Sequence, residues 1–207
     1  MRIVFVAAFF FAQHSLAADS PRLILQITVD QLRADLPTRY YERLGEGGFR
    51  YLRENGVWYA NGHHAHANTE TIVGHTTLAT GAHPSIHGMI GNLWFDRETG
   101  FTTYNVEDPE FRLLSEGADI DEGAEIDPTQ RAARSEGRSP AAIEVTTFAD
   151  ELRGHTGGAA KVVGVSVKDR GAISMAGHSG KAFWFSKSSG EFVTSTYYLD
   201  AYPDWVD

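Results

Sequence analysis

The stretch Val162-Val163-Gly164-Val165-Ser166-Val167-Lys168-Asp169-Arg170 decides the fold class. A strand covered on both faces needs no polar alternation, so the nearly unbroken β-branched run over Lys161–Val167 predicts a buried strand of a parallel sheet. Two cations, Lys168 and Arg170, stand directly at its end. In open α/β sheets ligands gather outside the carboxyl ends of parallel strands, which makes this pair a candidate anion site rather than a solvated surface. An earlier run, Leu23-Ile24-Leu25-Gln26-Ile27-Thr28-Val29, has the same character and ends at Asp30.

Helical patterns alternate with these runs. Pro37 opens one through Leu44, Gly45-Glu46-Gly47-Gly48 interrupts it, and a second runs through Glu54 to a stop at Asn55-Gly56. Val57–Ala60 reads as a short strand, and Thr71–Thr80 as a helix stopped by Gly81. Turn residues predict two hairpins, Leu93–Phe95 with Phe101–Tyr104, and Ala182–Phe185 with Phe192–Thr196. Ser139-Pro140 offers an N-cap and a first-position proline for a helix whose Val145, Phe148 and Leu152 share a face before Gly154. From Asn105 to Asp127 there are nine acidic residues and one arginine, the pattern of a mobile, solvated surface excursion. The expected fold is α/β, a mainly parallel sheet flanked by helices with small β-hairpin insertions.

The chain of 207 residues has 42% hydrophobic and 22% charged residues, enough for a real core and against wholesale disorder. Its net charge of −9 argues against a general nucleic-acid surface, so an anionic substrate would need a local cationic pocket. At the start, Arg2, the apolar run Ile3–Ala12 and Ser15-Leu16-Ala17 have the order of a secretory signal over residues 1–17. The apolar run is too short to span a bilayer core of ~30 Å, so the expectation is export, periplasmic or secreted, with no stable membrane span. The chain has no cysteine, so any metal would be held by oxygen and imidazole, a donor set that suits zinc among other divalent ions.

The chemistry gathers around Thr71, in the first turn of its predicted helix and one turn ahead of His75. There the helix N-terminus presents partial positive charge to an incoming anion. A neutral threonine hydroxyl is a poor nucleophile that a bound cation can activate. Thr69 is the alternative hydroxyl, and capping is the structural alternative for either. Asp30, at the end of an apolar run, caps a turn or holds a cation, because a carboxylate there is otherwise costly. His75 reads as a brace. His63, His64 and His66 have no defined partner, and Pro84 disfavours a helical ligand pair of His83 with His87. The Asn92 amide can donate to a phosphoryl oxygen without adding charge.

Taken together, Val29-Asp30-Gln31-Leu32-Arg33, Thr71 with Gly74-His75, Thr80-Gly81, Pro84, His87–Asn92 and Ser166–Ala172 resemble the threonine-nucleophile phosphate monoesterases of the alkaline phosphatase superfamily, which also holds nucleotide pyrophosphatase/phosphodiesterases and sulfatases. The resemblance runs from about Leu23 to Val206. It implies an alkaline-phosphatase-like fold, Asp30 and Thr71 as zinc ligands in a site that takes two zinc ions, and Thr71 as the residue that is phosphorylated. Asn92, Lys168 and Arg170 would then bind the phosphate. Asp169, between the two cations, would hold either of them in position.

Under that resemblance residues 18–207 are the N-terminal portion of a catalytic domain that hydrolyses small phosphate monoesters. The Lys168–Arg170 pair weighs against the alternative, a phosphodiesterase or nucleotide pyrophosphatase, because it addresses an oxygen that diesters substitute. A non-catalytic secreted fragment is the third reading. Past Arg170 only His178, Asp200, Asp204 and Asp207 remain as histidine or aspartate ligands, so truncation and an inactive isolated chain are the expectation. Oligomeric state is not legible.

Overall fold

The computed structural model describes residues 21–115, 118 and 127–206; the expected signal and most of the acidic run beyond Ser115 lie outside these. The chain divides into two units, Met1–Gln31 and Leu32–Asp207. In the first unit, residues 21–31 adopt no strand, and Leu23, Leu25 and Ile27 are exposed. The expected Leu23–Val29 strand is therefore corrected. Apolar periodicity specifies a face, but a strand exists only where a partner takes its hydrogen bonds, and this unit has no second strand among its described residues.

The second unit carries α1 (Leu36–Arg39), a 3-10 turn (Tyr41–Arg43), α2 (Phe49–Asn55), α3 (Thr71–Thr80), α4 (Pro84–His87), β1 (Leu93–Asp96) and β2 (Phe101–Tyr104). Then follow α5 (Pro128–Arg131), α6 (Phe148–His155), β3 (Val163–Ser166), α7 (Asp169–Ala176), β4 (Lys181–Phe185) and β5 (Phe192–Val193). Strands β1 and β2 form the expected antiparallel hairpin. The other sheet has the order β3-β4-β5, with β3 and β4 parallel and β5 antiparallel to β4. The segment β3-α7-β4 is thus a parallel crossover, and α7 packs on both of its strands and on α3.

Gly164 allows that packing. A Cβ there would meet the Ala172 carbonyl oxygen at 2.4 Å and the Ala176 nitrogen at 2.9 Å, closer than any side chain tolerates. The core joins Ile72 and Val73 of α3, Met89, Tyr104, Ile173 and Trp184. Strand β3 is not buried on both faces as expected: Val163 and Val165 are exposed while Gly164 is covered. It lies at the sheet edge, and α7 covers one face only.

Three further expectations are corrected. Val57–Ala60 forms no strand. Ser139-Pro140 opens a single turn instead of a helix: the Ser139 hydroxyl accepts the Ala141 N–H at 3.1 Å while donating to Asp108 at 2.5 Å, and the turn closes with the Ile143 N–H on the Pro140 carbonyl at 2.8 Å. The helix begins at Thr147, where a reciprocal capping box with Asp150 satisfies its first donors. The described part of the acidic stretch is not a solvated excursion either. Asn105, Val106, Leu113 and Ala118 are buried, and Leu113 bridges to Ser195. Its interleaved apolar residues enter the core, and the half-buried Glu107 and Asp108 accept from the Arg134 backbone N–H and the Ser139 hydroxyl.

Candidate active site

Helix α3 starts at Thr71 with Glu70 as its N-cap residue and ends at Gly81, which adopts a left-handed φ of 67°. Thr69 therefore lies ahead of the cap, and Thr71 is the hydroxyl in the first turn. The Glu70 side chain makes no cap of its own. It accepts the Asn92 backbone N–H at 2.5 Å, while the Asn92 side-chain oxygen accepts the Ile72 backbone N–H at 3.1 Å. Asn68 adds a third tie, donating from its amide to the Ile90 carbonyl at 2.8 Å. The segments 68–72 and 90–92 are thus clasped, and with the Asn92 oxygen committed to a donor its amide nitrogen is the group that remains to meet an anion.

A histidine–threonine chain braces this clasp. The Met89 backbone N–H donates to His87 Nδ1 at 3.1 Å, which leaves His87 Nε2 as the donor to the Thr77 hydroxyl at 3.0 Å. Thr77 in turn donates to His66 Nε2 at 3.1 Å, and His66 Nδ1–H donates to the Asn68 carbonyl at 2.8 Å. Every proton has one consistent direction when both histidines are neutral. Burial, the largest influence, pushes His87 below the usual imidazole range, and nearby His66 and His83 act the same way. His75, as expected, is a brace: its Nδ1–H donates to the Thr71 carbonyl at 2.8 Å.

Lys168 is the N-cap residue of α7, and Asp169 and Arg170 are its first two helical residues. Asp169 does not hold either neighbouring cation's side chain, which corrects that expectation. It is fully buried, accepts from Arg138 Nε at 2.6 Å and from the Tyr104 hydroxyl at 2.6 Å, and takes the Arg170 backbone N–H at 2.7 Å. Asp127 holds the cations. Its Oδ2 accepts from Lys168 Nζ and, at 2.7 Å, from Arg170, while Oδ1 accepts the Thr129 backbone N–H at 3.0 Å and the Thr129 hydroxyl at 2.6 Å. Arg170 also donates to the Tyr104 hydroxyl at 3.1 Å and to Thr129 at 3.2 Å. Desolvation pushes the Asp127 carboxyl up, yet hydrogen bonds from Lys168, Thr129 and Arg170 outweigh it and hold the group well below the usual carboxylate range.

The two halves are joined through β2. Tyr104 contacts Arg170 and Asp169, and next to it the Asn105 amide donates to the Asn92 carbonyl at 2.7 Å. Hydrogen bonds on either side of the Tyr104–Asn105 peptide therefore link the first turn of α3 to Arg170 of α7. Asp30 lies in the first unit, exposed, ahead of Gln31 with its left-handed φ of 59°. Among the described residues no group of three or more His, Cys, Asp or Glu could hold a metal ion. Asp30 and Thr71 have the hard-oxygen chemistry that suits a divalent cation, but a catalytic zinc takes about three protein donors.

Sequence reading missed Asp127, Tyr104, Arg138, Asn68 and Glu70. Asp127-Pro128 carries the signal of a helix cap, and α5 bears that out; nothing local announces that its other oxygen reaches 41 and 43 residues along the chain.

Residues 24–203 match the model of the type I phosphodiesterase / nucleotide pyrophosphatase family. The chain is 38% identical to alkaline phosphatase PafA of Elizabethkingia meningoseptica over 99% of its own length and 35% of that protein's. It is 38% identical to alkaline phosphatase PhoV of Synechococcus elongatus over 90% of its length and 32% of that protein's. The wild-type PafA crystal structure superposes with a TM-score of 0.74 at 40% identity, covering 86% of this chain and 32% of that one. The fold is accordingly α/β and alkaline-phosphatase-like. The chain spans about a third of the length of the curated relatives it matches.

Proposed function

We propose that this chain, which belongs to the type I phosphodiesterase / nucleotide pyrophosphatase family, supplies the nucleophile and the phosphate-binding side chains of a phosphate monoester hydrolase. The observation that carries the reading is the Asn92–Ile72 hydrogen bond of 3.1 Å, which fixes the Asn92 amide against the helix turn that begins with Thr71. That turn presents a hydroxyl, a helix N-terminus and a neutral donor together. It is tied through Asn105 and Tyr104 to Arg170.

In this reading the Thr71 hydroxyl attacks phosphorus in line with the leaving alkoxide. Its oxygen forms the new P–O bond as the ester P–O bond breaks, and water later hydrolyses the phosphothreonine. Asn92 donates to one equatorial oxygen, and Lys168 and Arg170 take the oxygen that a diester would substitute. A divalent metal, zinc by the donor preference, would take the Thr71 oxygen among its ligands and would supply the positive charge that lets the hydroxyl ionise near neutral pH. Similarity to two alkaline phosphatases over nearly all of the chain supports this class.

The substrate is a small phosphate monoester, and nucleic acid is not a specific partner of a chain with a net charge of −9. Export, by removal of residues 1–17, belongs to the same reading, and among the described residues no helix is long and apolar enough to cross a membrane. A phosphodiesterase is the second reading, favoured by the family description and opposed by Lys168 and Arg170.

Rapid acid quench of the protein carrying the whole catalytic domain, turning over a labelled aryl phosphate, tests the assignment. Label on Thr71, and its loss with turnover in Thr71→Ala, is the expected result. Label elsewhere, or wild-type turnover by Thr71→Ala, refutes it.

A further inference from the structure

Lys168 and Arg170 already hold an anion of the protein's own. The Asp127 carboxylate is 9% exposed and bridges them through a single oxygen, above an Arg170 side chain that is 2% exposed. Lys168 is 36% exposed, so solvent reaches the outer cation while the carboxylate lies across the inner one. The second Asp127 oxygen is anchored to Thr129, at the start of α5. Arg170 Nε, though buried, has no hydrogen-bond partner among the described residues, so the present partners do not saturate its planar fork.

We propose that Asp127 is an internal counter-anion that occupies the phosphate-recognition pair and competes with an incoming phosphate group for Lys168 and Arg170. This rests on those two residues being the anion-binding pair of the proposed function. The bridging carboxylate offers the same chemistry as a phosphoryl oxygen: a compact anionic acceptor able to take one N–H from lysine and one from arginine. A carboxylate presents one negative charge, whereas a phosphate dianion presents two over three oxygens, so the dianion can take over the contacts. The competition lowers the affinity for substrate and for inorganic phosphate alike. Its functional value is release: a site with two bare cations would retain the product.

The charge and the architecture of Asp127 are separable. Asparagine is as good an N-cap as aspartate, so Asp127→Asn can keep the tie to Thr129 while it removes the charge and puts an amide N–H where the acceptor for Lys168 and Arg170 stood. Asp127→Glu keeps the charge on a longer side chain. Inorganic phosphate, at a pH where it is dianionic and at low salt, is titrated calorimetrically into the chain, into both variants, and into Asp127→Asn carrying Lys168→Ala and Arg170→Ala. Removing one charge from a partly buried site predicts that Asp127→Asn binds phosphate about tenfold or more tighter than the wild type. Asp127→Glu should stay near the wild type, and the triple variant should lose the gain.

Equal or weaker phosphate binding by Asp127→Asn overturns the inference, as does failure of that variant to bind phosphate at all. A gain of the same size in Asp127→Glu overturns it too, since charge would not then be the cause. The readout is binding, not turnover. Tighter phosphate binding without a labelled Thr71 would leave this inference standing and reject the hydrolase, and the reverse pair of results would do the opposite.

Discussion

The Asn92 side-chain oxygen accepts the backbone N–H of Ile72 at 3.1 Å, so a residue twenty positions downstream serves as an external brace for the first turn of α3. The Glu70 side chain, from the ordinary capping position, instead accepts the Asn92 backbone N–H. One asparagine therefore satisfies a first-turn donor of the helix, and in the proposed function its amide would also donate to substrate. Its two functions can be divided.

Asn92→Asp keeps an acceptor for Ile72 but replaces the amide donor with negative charge. It should fold with near-wild-type thermal stability yet lose more monoester turnover than Asn92→Ala, whose loss we expect on the order of a hundredfold in kcat/KM. An Asp variant at least as active as the Ala variant would mean that the amide does not face the substrate.

Removing Lys168 and Arg170 together should penalise monoesters far more than diesters. Charge-assisted contacts contribute about 1.5–3 kcal/mol each, so losses of roughly tenfold or more per residue are expected for the monoester. Comparing kcat/KM for an aryl phosphate and a bis-aryl phosphate decides it. Equal losses would assign the pair a structural role or recognition of a feature common to both substrates.

Arg138 and Asp169 form an ion pair with side chains 3% and 0% exposed. Arg138→Met strands a buried carboxylate and should cost about 3–5 kcal/mol in denaturant unfolding. Adding Asp169→Leu to that variant should recover part of the loss, because the charge that lacked compensation is then gone. A mild effect of the single change would show that Tyr104 and the Arg170 backbone N–H stabilise Asp169 unaided.

His87 gives a pH dependence of known sign. Burial holds its folded-state value below the usual 6.5, so on acidification the unfolded chain takes up a proton before the folded one does. Stability from this group is complete above about 6.5 and is lost as pH falls from there through the lower folded value. His87→Gln, which can still donate to Thr77, should flatten that part of the melting-temperature profile. An unchanged slope would exclude His87 as its source.

The local setting of the candidate site was legible where short-range signals decide it. Thr71–Thr80 ends at Gly81 as read, since a helix start and a left-handed glycine stop are local events. The β1–β2 hairpin follows from its turn residues, and Lys168 and Arg170 stand at the end of a strand because the apolar run places them there. Where sequence reading failed, the decision was not local. Leu23–Val29 has strand composition but no strand pairing, the Val163–Val167 run is covered on one side only, and Ser139 caps a single turn at Ala141 that does not continue as a helix.

The sequence by itself determined where the candidate side chains stand locally, because a hydroxyl at a helix start and two cations after a strand follow from residue type and order. Only the tertiary structure decided what those side chains touch. Asp127 meets Lys168 and Arg170 across 41 and 43 residues, and Asp169 turns away from the cations beside it in sequence towards Arg138 and Tyr104. The physical reason is that a charge in a partly dry interior is stabilised by whichever partner the packed backbone brings within about 3 Å, and that distance is set by the fold.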